Sequence, residues 1–171
     1  MQIIEPCCTQ KNWPELRKKI GNDGTTFFHA YGDLSIAELL PVMLTRYTDV
    51  RMTIVCPSLP NAAAEVLLTW MNKKWARQSG GDVNVISSLT LITDLRARKS
   101  PDASKWVQEN PFPGRLMLHN IQQNDTAILL PDIALFGNIN MAHNGHFVAL
   151  ATSNQKVISN LSEVYKSLTI K

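Results

Sequence analysis

The alternation of strand-like runs with helical stripes between residues 25 and 92 constrains this chain more than any other feature. Thr25-Thr26-Phe27-Phe28-His29-Ala30 reads as a first strand. Ser35-Ile36-Ala37-Glu38 then forms a capping box, with Leu34 and Leu39 placed as a hydrophobic staple. It predicts a helix to about Arg46, which Pro41 inside it either kinks or makes start later. Asp49–Cys56, with Val50, Met52, Ile54 and Val55, is a second strand. Ala63, Val66, Leu67, Trp70, Met71 and Lys74 recur at helical spacing and predict a helix to about Arg77, stopped by Gly80-Gly81. Val83–Ile86 is a third strand that Leu89–Ile92 extends. Such alternation predicts a parallel sheet covered by helices.

The second half changes character. Asp102–Glu109 reads as a short helix before the Pro111–Gly114 stop, and Leu116–Leu118, Thr126–Leu130 and Ile133–Phe136 as closely spaced strands. Asn144-Gly145 is a hairpin signal between Ile139–Met141 and Phe147–Leu150. Val157, Ile158, Leu161, Val164, Tyr165 and Leu168 make one apolar stripe after Ser153 and Asn154 as cap, which predicts an amphipathic helix packed on the sheet. The fold class expected is therefore α/β, a mixed and mostly parallel β-sheet flanked by helices. At 171 residues the chain suits one domain. The expected division is a lead-in over residues 1–24, with a short helix at Pro14–Ile20, and a single domain over 25–171.

Charge and cysteine usage narrow the function classes. A net charge of +3 is too small to require a nucleic-acid partner on its own, and 18% charged residues argue against disorder. Three cysteines without C-x-x-C spacing make neither a disulfide framework nor a zinc site, and Cys56 at a strand end reads as a small buried hydrophobe. The first six residues lack the basic start and apolar stretch of a secretory leader, and no window is apolar enough to span a membrane. A cytoplasmic protein with no cofactor is expected.

Four histidines are open to chemistry. His29 ends the first strand, followed by Tyr31 and Asp33, where α/β sheets place ligand crevices; the competing reading is a turn that Asp33 organises. His143 and His146 flank the hairpin turn, but H-x-x-H lacks the third ligand a catalytic zinc needs. His119 ends a strand with no partner beside it in sequence. P-loop, G-x-G-x-x-G, G-x-S-x-G and H-E-x-x-H motifs are all absent. Lys73, Lys74 and Arg77, with Arg96, Arg98 and Lys99, would attract phosphate if they converged on one groove. Otherwise they are solvated helix ends and loops.

The stretch Asp132–Asn140, then Asn144–Leu150 and the last helix, resembles the end of a phospholipase D-like domain. That family carries H-x-K-x4-D, then G-S-x-N after a spacer, then N-x-E and a closing helix. Gly137-Asn138-Ile139-Asn140 is similar to G-S-x-N, and Asn144-Gly145-His146 to N-x-E with His146 in the acid's place. Counting back at the family spacing puts the His and Lys positions on Gln123 and Asp125. A hairpin two residues shorter puts them on Asp125 and Ala127, with Asp132 in the aspartate place. Neither register supplies an imidazole or an ammonium. The phosphate-site positions implied are thus Asp125, Asp132, Asn138, Asn140 and His146, degenerate except for Asn140.

The resemblance implies a scaffold whose phosphodiesterase chemistry is lost, acting as a binding or assembly module. A one-repeat member of that family implies a homodimer with the old active-site surface at or near its interface. Two other classes stay open at this stage. One is a phosphodiesterase or nuclease whose rearranged site uses His119 or His29 with Asp33. The other is a non-enzymatic nucleic-acid contact through the basic clusters.

Overall fold

The computed structural model describes residues 3–4, 24–30, 40–41, 43–45, 47–76, 80–94, 116–121, 125–138 and 147–169. Its strands are β1 (Ile3–Ile4), β2 (Thr25–Ala30), β3 (Val50–Cys56), β4 (Lys74–Ala76), β5 (Asp82–Asn84), β6 (Ile86–Thr93), β7 (Leu116–Asn120), β8 (Thr126–Leu129), β9 (Ala134–Asn138) and β10 (Phe147–Thr152). Two complete helices are described, α1 (Asn61–Asn72) and α2 (Gln155–Thr169).

Eight strands form one sheet in the order β1-β2-β10-β9-β8-β3-β6-β7. β3, β6 and β7 are parallel neighbours, as are β1 and β2, while β8, β9 and β10 join their neighbours antiparallel. Only β8 and β10 therefore run against the rest. The expected mixed, mostly parallel sheet is what forms. β1, from the segment read as a lead-in, adds a parallel strand at the β2 edge.

Alternation along β3 sends Met52, Ile54 and Cys56 to one face and Arg51, Thr53 and Val55 to the other, as a two-residue period requires. On the first face α1 buries Ala63, Leu67, Trp70 and Met71 against β3 and β6. Leu40, Met43 and Leu44, helical as the capping box predicted, join the same core; the box itself lies outside the described residues. On the second face, α2 sets Ile158 and Tyr165 on Val55, Ile92, Ala127, Leu129 and Ala134.

Three local expectations need correction. The first helix-length pattern ends at Asn72 and not near Arg77. Lys73 takes an extended backbone, its carbonyl accepts from the Val85 N–H at 2.9 Å, and β4 pairs antiparallel with β5. Gly80 and Gly81, with φ of 87° and 84°, turn that small hairpin and do not stop a helix. Val164, counted in the α2 stripe, is 57% exposed, because the buried stripe passes through Ile158 and Tyr165 and leaves it on the outer side.

The start of α2 follows the sequence closely. The Asn154 side-chain oxygen accepts from the Val157 N–H at 3.1 Å, an N-cap bond. Thr152 and Ser153 anchor the preceding turn to Gly24 beside β2. Asn154→Ala should cost about 1 kcal/mol, and lower the thermal midpoint by about 2–4 °C. A melting curve checks it.

Candidate functional site

Pairing of Thr126 with Gly137 sets the start of β8 beside the end of β9, so Asp125 and Asn138 stand across from one another at one end of the sheet. In the shorter register of the motif, positions 125 and 127 are those of the missing His and Lys. Asp125 is exposed and Ala127 is fully buried. The Ala127 methyl lies in the apolar cluster with the Tyr165 ring. Burial, and then the charge of Asp125, push the Tyr165 hydroxyl above its ordinary pKa.

Asp132 falls elsewhere. It sits in the turn between β8 and β9, closed by the Leu130 N–H donating to the Ile133 carbonyl, at the opposite end of β8 from Asp125. Four residues of strand separate the two ends, about 14 Å. The Tyr47 hydroxyl donates to the Asp132 carboxylate and so fastens the segment before β3 to this turn. Asn140 and His146 lie outside the described residues, and so do Asp33 and the paired turn residues His143 to Gly145.

The histidine readings separate in space. His119 lies on β7 in a lateral row with Ile92, Val55 and Ala127. Three strand spacings, about 14 Å, part it from position 127. His29 belongs to β2, six strands from β7 in the sheet order. At about 4.8 Å per strand that is nearly 30 Å, so His29 and His119 do not build one site together. Sequence distance offered no means of seeing this.

Of the basic clusters, Lys73 and Lys74 lie among the described residues. Lys73 precedes β4 near the start of β6, whereas Arg96, Arg98 and Lys99 follow the end of β6, and these three lie outside the described residues with Arg77. β6 spans eight residues, about 26 Å. The Lys73 ammonium stands 4.1 Å from the Trp70 ring centre and 4.7 Å from that of Trp75. Its charge is occupied locally by cation–π contact. Lys74 is exposed on β4.

What the motifs missed is a groove of about 900 Å³ on the second face. One wall is α2, through Gln155, Ser159, Ser162, Lys166 and Thr169; the other is the outward row of β3, β6 and β7. The α2 residues recur every three or four positions, the spacing of one helical face, and that polar stripe was the available signal. Ser87, the extra residue where the β3–β6 register shifts, donates its hydroxyl to the carbonyls of Asp49 and Val50 at 3.0 and 3.2 Å, closing one end of the groove.

Cys56 matches the expectation of a buried hydrophobe. Its thiol is fully enclosed and burial pushes its pKa from 9.0 to about 12, against a weaker lowering by its bond to Thr93. The unfolded chain releases this proton near 9 and the folded chain near 12, so its stabilising contribution is full below pH 9 and is lost as pH rises through 12. Tyr165 acts in the same direction. The urea midpoint should therefore fall between about pH 8 and pH 10.5, and fall less in Cys56→Ala. Among the described residues no group of three His, Cys, Asp or Glu side chains could hold a metal. No described helix is long and apolar enough to cross a membrane.

No family model matches the chain, and no curated protein matches its sequence. Solved structures do. A polyphosphate kinase from Porphyromonas gingivalis superposes with a TM-score of 0.60 at 16% identity, covering 98% of this chain and 27% of that one. NucT from Helicobacter pylori gives 0.48 at 13% identity over 83% of this chain and 95% of its own. TrmBL2, an archaeal chromatin protein, gives 0.47 at 9% identity over 92% and 56%. The present chain thus spans about a quarter of the kinase. The kinase likeness establishes a shared α/β fold, consistent with the phospholipase D-like architecture.

Proposed function

We propose that the chain is a phospholipase D-like module without phosphodiesterase chemistry, acting by binding or assembly as a homodimer. The observation that supports this reading is the pairing of Thr126 with Gly137, beside which the exposed Asp125 and the buried Ala127 would take the positions that the family gives to its nucleophile and its cation. A carboxylate facing an anionic diester repels it, and Ala127 has nothing with which to stabilise charge on the phosphoryl oxygens. Turnover of a phosphodiester in the presence of a chelator should not exceed the uncatalysed rate. Activity that His119→Ala abolishes would sink the reading.

The dimer follows from the one-repeat size that the resemblance implies, and closed twofold pairs are the commonest oligomers. The interface belongs at the end of the sheet that carries Asp125 and Asn138. Sedimentation equilibrium at micromolar concentration should return twice the 19.1 kDa chain mass. A single-chain mass there would remove the assembly part of the proposal.

A further inference from the structure

The groove along α2 has the chemistry of a site and no role in the reading above. Its outer wall is a helix of fifteen residues, about 22 Å long. The groove follows it from Gln155 to Thr169. Side chains with free rotors face it from both sides, Ser159 and Ser162 on the helix, Ser88 and Thr90 on the sheet. Ser159 is exposed and the other three half-buried, so these hydroxyls are within reach of a ligand.

Charge is distributed at the two ends. α2 runs alongside β3, its first turn near the level of Arg51 and its Tyr165 beside Asp125 at the other end. Arg51 therefore marks one end, and Lys166 with His119 marks the other. Eleven helical residues separate Gln155 from Lys166, about 16 Å. Both cations are exposed, and among the described residues neither is paired with a carboxylate. Among the described residues Asp49 is the one acid in the lining, and it sits at the Arg51 end. It limits anion binding to the stretch between the two cations.

A single small anion cannot touch both ends. A ligand that does must be extended, must carry negative charge at intervals, and must accept hydrogen bonds between them. Among the described residues the one aromatic ring in the lining other than the His119 imidazole is Tyr165, 6% exposed, so the described lining holds the strand by its backbone and not by stacked bases.

We propose that the groove between α2 and strands β3, β6 and β7 binds the backbone of a single-stranded nucleic acid, with Arg51 and Lys166 neutralising phosphates at its two ends. Recognition is through phosphate and sugar oxygens and is tolerant of sequence. This moves nucleic-acid contact away from the Lys73 and Arg96 clusters. It rests on nothing argued about positions 125 and 127, so either reading can fail without the other.

Fluorescence anisotropy of a labelled oligothymidylate of about 12 nucleotides tests it, a length within the range one single-strand site covers. Binding is expected at low salt, with affinity falling as salt rises. Arg51→Ala/Lys166→Ala should weaken it at least about tenfold and make the slope of log K on log salt shallower by about 1.4, two contacts at 0.7 each. Ser88→Glu, a charge set into the sheet wall, should weaken it as much. Lys156→Ala, which removes an exposed cation of the same helix outside the groove, should leave the slope within error of the parent. Three results would overturn the proposal. They are no binding at low salt, equal loss in Lys156→Ala and the double variant, or displacement of the labelled strand by inorganic polyphosphate at a lower phosphate concentration than unlabelled oligothymidylate requires.

Discussion

Ala127→Lys is expected to destabilise the protein by about 4 kcal/mol, the order of penalty for placing an unpaired ammonium in an apolar cluster. Ala127 has no exposed surface and packs with Val55, Ile92, Ile158 and Tyr165. A lysine there must either displace α2 or bury its charge, and burial would drive its pKa down until the group is neutral. The midpoint of urea unfolding should therefore drop sharply near neutral pH and recover in part as pH rises through the range where lysine loses its proton. Asp125, one residue before the strand, is exposed and offers a carboxylate at the edge of the cluster, not inside it. If the lysine variant were as stable as the parent, the cluster would have to be looser than its burial indicates. The position would then still be open to the family's cation.

Gly137→Ala is the second large effect. Gly137 has φ of 145°, a region that side chains rarely enter. A Cβ built there would stand 2.6 Å from the Val148 carbonyl oxygen and 3.0 Å from the Ala149 Cα, both backbone atoms of the neighbouring β10. Backbone cannot swing aside as a side-chain tip can. Strain and overpacking together predict a loss of about 2–5 kcal/mol, and a thermal midpoint lower by about 4–15 °C. Calorimetry of the purified variant reads this directly. The result would also give a structural reason for the glycine of the motif-like Gly137-Asn138-Ile139-Asn140: it allows β9 and β10 to approach, independent of any phosphate.

The two variants bear on how far this fold could be read from its residues. The last helix was legible because its information is local: Asn154 caps it, and Ile158, Leu161, Tyr165 and Leu168 recur on one side. Val164 was misplaced because a spacing of three or four residues also admits neighbours just outside the buried arc, and only the packing decides. Trp70, Met71 and Lys74 fit a helical period too, yet the chain turns at Lys73 and Trp75 is carried by β4. There the pairing with Asp82–Asn84, six residues further on, overrides local spacing.

Long-range order was legible in class but not in detail. Alternation of strands and helices identified the parallel half, in which β3, α1 and β6 follow in sequence. It held no trace that β10 would lie between β2 and β9, or that β8 would lie beside β3. Those placements decide the site. They bring Asp125 next to Asn138, send Asp132 to the far turn against Tyr47, and keep His119 three strands from Ala127. Counting residues left two registers for the motif, and it could not show that the pairing of Thr126 with Gly137 sets Asp125 across from Asn138. Of the groove, the sequence held the polar stripe of α2 but not the wall it faces. Arg51, Ser88 and Lys166 come from three separate elements and meet only when α2 crosses the sheet.

The central claim concerns a missing nucleophile, and intact-protein mass spectrometry after a denaturing quench at alkaline pH, where a phosphorus–imidazole bond survives, tests it most directly. The protein would be incubated with an activated phosphodiester and its mass compared with that of the untreated chain. The account predicts an unchanged mass, because neither position 125 nor position 127 holds an imidazole to attack phosphorus. A mass increase equal to the diester less its leaving alcohol, mapped to a histidine, would contradict it.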